Sequence, residues 1–351
     1  MKAAQIVAHQ QPLEIAQVAD PKIGPTDALV RIEAEGICRT DWHTWNGDWD
    51  WVGFLPPLPV IPGHEFSGTV VDVGSDVQQV RIGDRVTVPF AEGCGRCANC
   101  GRGRTNLCLN INVPGFTHSG GYAELVAVPT ADVNCIGLPE VLDFTDAAAL
   151  GCRYMTSYNA VVVNGRARPG QWVLVYGAGG MGLAAVQIAA AVGCFVIAVD
   201  IYDAKLTKAT AEGAAAVINS SATTNVPEAV KEISGGGVDL SIDATTRPGT
   251  TAQCVLSLRH GGRHVQAGMT SSDQSGMIPL PVDLMLVLEV EFTGAMGLAR
   301  ADYPEMLRQV AAGKLRPGSL VNERIPLEEA SRVLKAMNTF DTVGINVITS
   351  F

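Results

Sequence analysis

The chain has 351 residues, of which 47% are hydrophobic and 17% charged, a balance that predicts more than one well-filled globular domain and excludes disorder. A formal net charge of −10, with no basic stripe to neutralise phosphates, excludes a nucleic-acid partner. The opening MKAAQIVAHQ has no apolar core of signal-peptide length, and no apolar run reaches about 18 residues without a charge or breaker, so a cytoplasmic protein with no membrane partner is expected.

From Met1 to about Leu150 the texture is strand-like. ALVRIEAEGIC, FSGTVVDV and DRVTVPF alternate apolar and polar residues, with Gly, Pro and Asp between them, which predicts an antiparallel, barrel-like domain with long functional loops. From about Gly151 the rhythm changes. QWVLVYG reads as a buried strand, MGLAAVQIAAAV as a helix stopped by Gly193, FVIAVD as a strand, DAKLTKATAEG as a helix and AAVIN as a strand. Such alternation predicts an α/β domain with a doubly wound parallel sheet. Beyond Phe292 the pattern loosens: DYPEMLRQVAAG and LEEASRVLKAMN read as helices, and VGINVITS as a closing strand that rejoins the first domain.

YGAGGMG lies between a predicted strand and a predicted helix and fits G-x-G-x-x-G at Gly177, Gly179 and Gly182, with Gly180 inside the run. The first glycine permits a tight turn, the second admits a pyrophosphate to the backbone, and the third lets helix and strand pack closely. The helix N-terminus would then face the negative charge. An ordinary glycine-rich turn is the alternative. Asp200, at the end of the next predicted strand, can bind both ribose hydroxyls and would repel a 2′-phosphate, which favours NAD over NADP. Lys205 could reach the adenosine ribose or a phosphate; a solvated surface lysine is the other reading.

CGRCANCGRGRTNLC brings Cys94, Cys97, Cys100 and Cys108 into fifteen residues. Four soft, deprotonable ligands can close a tetrahedral zinc shell and leave no position for substrate, so this loop is expected to be a structural staple. A disulfide pair or an iron–sulfur cluster remains open on ligand type alone. Cys38, His64 and Cys152 stand far apart in sequence, each compatible with ordinary packing or a loop position, and their spacing does not assemble them. Cys135, Cys194 and Cys254 are assigned to packing.

The combination of GICRTDWH, PGHE, the four-cysteine loop, LGCRYMT and YGAGGMG, in this order and over essentially the whole chain, resembles the zinc-dependent alcohol dehydrogenases of the medium-chain dehydrogenase/reductase superfamily. The resemblance implies a GroES-like β-rich catalytic domain at 1–150 plus 295–351, a Rossmann domain at 151–294, and an active site in the cleft between them. It implies two Zn2+ per chain: one held by Cys38, His64 and Cys152, the other by Cys94, Cys97, Cys100 and Cys108. It makes Asp41 the carboxylate that orients the histidine ligand, unless it is only a helix cap. Glu65 becomes an acid that can approach the metal during ligand exchange. Thr40 becomes the hydroxyl that meets substrate oxygen, and His43 the relay base at the solvent end. Thr156 would seat the nicotinamide ring and Arg39 would bind the pyrophosphate. Trp49 and Phe90 would line the substrate pocket.

One departure stands out. Many relatives carry Arg just after the glycine of VGINV, reaching a cofactor phosphate; here Ile345 occupies that place. The activity implied is reversible, NAD-linked oxidation of a primary or secondary alcohol, with aliphatic or aromatic body, to an aldehyde or ketone. Alternatives are a polyol or threonine-type dehydrogenase and, from another class, a catalytically silent NAD-binding structural protein. A homo-oligomer is expected, tetramer ahead of dimer, with the strand near Glu289–Gly294 as a candidate interface.

Overall fold

The computed structural model describes residues 1–245, 247–270, 272 and 274–351. The chain divides into two compact units, Met1–Met155 with Gly297–Phe351, and Thr156–Met296.

The alternating segment Ala28–Ile37 becomes a ten-residue strand and organises the first unit. One edge pairs along its length with Phe66–Val73. The other edge is shared: Leu125–Val128 takes residues 28–31, and Ile345–Ser350 takes residues 35–37. The sheet runs Val321–Pro326, Ile345–Ser350, Ala28–Ile37, Phe66–Val73, Arg85–Thr87, Ile136–Gly137. The closing strand thus rejoins the N-terminal region. A separate two-stranded sheet pairs Lys2–Gln5 with Glu14–Gln17. Period-two alternation puts Val30, Ile32, Val70, Val86, Val126 and Val128 into one core, while Ile37, Trp42, Tyr122, Leu334 and Ile348 fill another.

One pair departs from the expected antiparallel pattern. Val321–Pro326 runs parallel to Ile345–Ser350. Parallel neighbours need a long crossover rather than a hairpin, and the helix Ala330–Ala336 lies in the connection.

The second unit is a six-stranded sheet in the order Ala216–Asn219, Phe195–Asp200, Trp172–Tyr176, Val238–Asp243, Leu258–Gln266, Glu291–Gly294, every pair parallel. Strands covered on both faces need continuous apolar runs, and Val173, Leu174, Val175, Val196, Ile197 and Ala198 are accordingly fully buried. Strand order reverses between Trp172–Tyr176 and Val238–Asp243, the switch point where open α/β sheets form their ligand crevice. The glycine run leaves the sheet there and enters the helix Gly180–Val192, which Gly193 ends in a left-handed cap.

The three spaced glycines of that run are required for different reasons. Gly177 has φ +94°, where an L side chain is strained. At Gly182 a Cβ would sit 1.7 Å from the Gly177 carbonyl oxygen, so the tight turn and the helix cannot both form around a larger residue. At Gly179 φ is an ordinary −76° and a Cβ would meet nothing within 4 Å. Folding alone therefore explains Gly177 and Gly182 but not Gly179. Gly182→Ala is expected to destabilise the second unit by about 1–3 kcal/mol through overpacking, whereas Gly179→Ala should stay within about 0.5 kcal/mol of the parent. Denaturant titrations of both variants check this, and equal losses would contradict the distinction.

Candidate active site

Cys38 directly follows the strand Ala28–Ile37 and caps the helix Arg39–Asn46. His64 sits just before the strand Phe66–Val73, and Cys152 opens the helix Cys152–Tyr158. The fold brings the three together: all are buried, and their donor atoms lie within 4.8 Å of one another. Asp41 holds this arrangement from behind. Its Oδ2 accepts the Cys38 amide (2.8 Å) and the Tyr122 hydroxyl (3.3 Å), and its Oδ1 accepts the Gly63 amide (3.2 Å). Oδ1 also lies 3.0 Å from His64 Nδ1.

The donor set fits a divalent zinc ion. Both ring nitrogens of His64 are buried outside hydrogen-bond geometry, but Nδ1 has Asp41 Oδ1 at 3.0 Å, whereas Nε2 is in a costly state for a polar atom unless something else binds it. Burial would push His64 down, but Asp41 outweighs it and holds the imidazole well above its usual value. With Asp41 facing Nδ1, Nε2 is left as the ligand atom. The Cys152 thiol bears on Cys38 and holds it well below the ordinary thiol range, while the same contact and burial push Cys152 up. Two sulfurs competing for one proton form a thiolate-rich pair that a cation can complete. Three protein ligands are one fewer than a closed tetrahedron requires.

Cys94, Cys97, Cys100 and Cys108 also gather with their sulfurs within 4.8 Å of one another, and all nine cysteines are free thiols. Here the ligand count is four. Amide groups face the sulfurs: Cys94 and Asn110 each donate to Cys108 Sγ at 3.3 Å, and Leu109 donates to Cys97 Sγ at 3.5 Å. The backbone N–H of Cys100, then that of Leu109, lowers the Cys97 thiol to about 6, so this sulfur is a thiolate near neutral pH.

Thr40 and His43 stand on the helix Arg39–Asn46 beside Cys38. His43 Nδ1 contacts Asp48 Oδ1 at 2.7 Å, and its ring stacks on Trp49 at 4.4 Å. Burial pushes Asp48 up, but the His43 contact outweighs it and leaves that carboxyl below its usual range. Phe90 meets the His64 ring edge-on at 6.1 Å. Phe116 does the same at 6.3 Å and stacks on Phe54 at 4.9 Å. Arg39 donates from Nη1 to the Met337 carbonyl at 2.7 Å and lies over the Trp42 and Phe340 rings. Ile345 is buried.

Glu65 is buried and held by Arg153. Its own amide donates to Glu35 Oε1 at 2.9 Å, and Glu35 has its second oxygen buried without a partner. Burial, then Asp41, raises Glu35 well above the usual carboxylate range. Sequence reasoning missed Glu35, Asp48, Phe54, Phe116 and Arg153. For Arg153 a signal existed: it directly follows Cys152, as Glu65 follows His64.

In the second unit, Asp200 is buried at the end of its strand and reaches the glycine run. Its Oδ2 accepts the Ala178 amide at 2.8 Å, and its Oδ1 accepts the Tyr202 amide at 3.1 Å. Lys205 is not a solvated surface lysine: it is buried, with Nζ 4.9 Å from the Tyr202 ring centroid. An aromatic face shelters its stem and attracts its charge. Thr156 is buried at the start of this unit.

Residues 24–140 match the family described as alcohol dehydrogenase GroES-like domain, and residues 180–312 match zinc-binding dehydrogenase. An alcohol dehydrogenase from Geobacillus stearothermophilus is 37% identical over 338 residues, covering 96% of this chain and 95% of its own. Among solved structures, an alcohol dehydrogenase from Thermus sp. ATN1 is 30% identical with a TM-score of 0.91, covering 100% of both chains. An NAD-dependent alcohol dehydrogenase is 31% identical with a TM-score of 0.89, again over 100% of both. With matched domains on both units and an open three-ligand centre, the chain belongs to the zinc-type alcohol dehydrogenases of the medium-chain dehydrogenase/reductase superfamily.

Proposed function

We propose that this enzyme reversibly oxidises a primary or secondary alcohol with an aliphatic or aromatic body, using NAD and a zinc ion held by Cys38, His64 and Cys152. The observation that carries the reading is the buried convergence of two sulfurs and one imidazole, with His64 Nε2 left unpartnered. When bound there, zinc supplies the Lewis acidity that lowers the pKa of an alcohol hydroxyl, and NAD accepts the hydride.

The chain's own groups handle orientation and the proton. Asp41 fixes the His64 ring so that Nε2 faces the ligand position. Thr40 would relay the substrate hydroxyl proton, giving up its own as it accepts, and His43 would pass a proton on to solvent. With Asp48 accepting at Nδ1, His43 Nε2 is the nitrogen free to exchange that proton. Phe90 and Phe116, set edge-on to His64, supply apolar walls. Trp49 would shape the same wall from its stack on His43. Such walls suit an alcohol with one polar atom better than a polyol, whose further hydroxyls need partners.

Gly177, Gly179, Gly180, Gly182 and Asp200 would hold the dinucleotide. Gly179 supports this reading, because its missing Cβ faces open space that folding leaves unused. The Asp200 carboxylate beside the Ala178 amide would accept ribose hydroxyls and repel a 2′-phosphate. Cys94, Cys97, Cys100 and Cys108 would hold a second, structural zinc.

The deciding experiment is turnover of benzyl alcohol, a short aliphatic alcohol, sorbitol and threonine, with NAD and NADP side by side, on protein of known zinc content. The expected outcome is about two zinc atoms per chain, NADH formation with the first two substrates, and little with NADP. Zinc-replete protein that reduces NAD with none of the four would sink the proposal. His43→Ala should slow alcohol oxidation by up to about 100-fold near neutral pH, the lower end of general-base contributions, and by less as buffer base is added. An unchanged pH–rate profile would remove His43 from the proton path.

We also propose that the enzyme associates with copies of itself through the second unit. The strand Glu291–Gly294 ends its sheet, and Val282, Leu286 and Val287 nearby are all more than 60% exposed. An unpaired edge beside an apolar patch favours a self-complementary contact. Light scattering should give a mass of two or four chains, and Leu286→Glu should lower it; a monomer at micromolar concentration would exclude the contact.

A further inference from the structure

The two partners of the buried Glu65–Arg153 pair are chain neighbours of two proposed metal ligands, His64 and Cys152. The pair is held by more than one contact. The Arg153 amide and Nε each donate to Glu65 Oε1 at 3.1 Å, while Nη2 donates to Oε2. Both residues are less than 10% exposed. The space they occupy is made by two glycines: a Cβ on Gly36 would come within 2.4 Å of Glu65 Oε2, and one on Gly151 within 2.4 Å of Glu65 Cβ. Both charges also bear electrostatically on the Cys152 sulfur.

A carboxylate on the residue next to a metal ligand can become an extra oxygen ligand unless something holds it back. A fork of guanidinium donors matched to both oxygens does so with fixed geometry, which a single ammonium cannot. Remove the arginine, and a buried carboxylate is left without its ion-pair partner beside the ligands of a divalent cation.

We propose that Arg153 is a positioning residue that withholds Glu65 from the metal held by Cys38, His64 and Cys152, and so keeps the fourth coordination position free for substrate oxygen. The proposal rests on the assignment of those three residues as ligands. It gives Glu65 two stations: clamped by Arg153, or released into the metal shell.

The test is the visible spectrum of the full-length enzyme with cobalt in this centre and zinc kept in the four-cysteine loop. Arg153→Met should shift the cobalt d–d bands, as the Glu65 carboxylate takes the fourth position otherwise open to solvent or substrate oxygen. Adding Glu65→Gln to Arg153→Met should restore the parent spectrum, and Glu65→Gln alone should leave it unchanged. An unchanged spectrum in Arg153→Met overturns the proposal. So does a changed spectrum that Glu65→Gln fails to restore, because the arginine would then act only by bracing the two loops. If Arg153→Met does not fold, Arg153→Lys carries the same test, with a smaller band shift that Glu65→Gln reverses; an unchanged spectrum there overturns the clamp. Cobalt bands that survive Cys38→Ser would instead overturn the ligand assignment beneath it.

Discussion

The carboxylate of Asp41 is the point on which the first unit's chemistry depends. It is 1% exposed, and such burial is tolerated only when the group's lone pairs are used. They are used by the Cys38 amide, the Gly63 amide and the Tyr122 hydroxyl, with His64 Nδ1 beside them. These partners come from a strand end, the loop carrying His64 and the segment before Leu125–Val128. One side chain therefore fixes the positions of two ligand-bearing segments and the orientation of the imidazole. The cap and the proposed histidine-orienting role of Asp41 are compatible. In the capping box at the start of Arg39–Asn46, the oxygen that accepts the Cys38 amide belongs to the same carboxylate that faces His64.

Much of the architecture was legible because it has a period. Alternation in ALVRIEAEGIC and FSGTVVDV marked half-buried strands, and the strand–helix rhythm after Gly151 marked the parallel sheet, since these patterns encode which side of each element meets the core. The glycine run and the four-cysteine loop were legible because their ligands are local, set by one turn and one loop. The three-residue centre was not legible from spacing. Cys38, His64 and Cys152 are joined only by tertiary contacts, and it took a family resemblance to group them. Contacts such as His43–Asp48 and Phe54–Phe116 follow no period, which is why Asp48 and both phenylalanines escaped. The parallel pairing of Val321–Pro326 escaped for a related reason: local alternation looks the same in parallel and antiparallel edges, and only the connection decides.

In the second unit the glycines separate what folding needs from what a ligand needs. Gly177 and Gly182 are fixed by a left-handed backbone and by a carbonyl 1.7 Å from any added Cβ. A sequence reader sees three equal glycines, whereas the fold explains only two. Asp200 has a similar double character. Its two hydrogen bonds to Ala178 and Tyr202 stiffen the turn, yet each carboxylate oxygen keeps a second lone pair, which the proposed ribose contact would use. A group that is already ordered before the nucleotide arrives loses less entropy on binding.

Ligand count is what separates the two cysteine-bearing centres. Four sulfurs around Cys94–Cys108 are enough to complete a tetrahedron, and the backbone amides facing Cys97 and Cys108 favour thiolate charge. Around His64, three donors converge among the described residues, and the neighbouring carboxylate that could supply a fourth is tied to Arg153. The side chains beyond the ligands are largely rings: Phe90 and Phe116 edge-on to the imidazole, with Trp49 stacked on His43. An open metal position walled by apolar edges strengthens any charge formed there, because little solvent competes with it. It also offers few partners for a second hydroxyl on the incoming molecule. In the proposed reading the same walls would favour both a monohydric alcohol and the ionisation that hydride transfer needs, so specificity and activation would draw on one feature of the site.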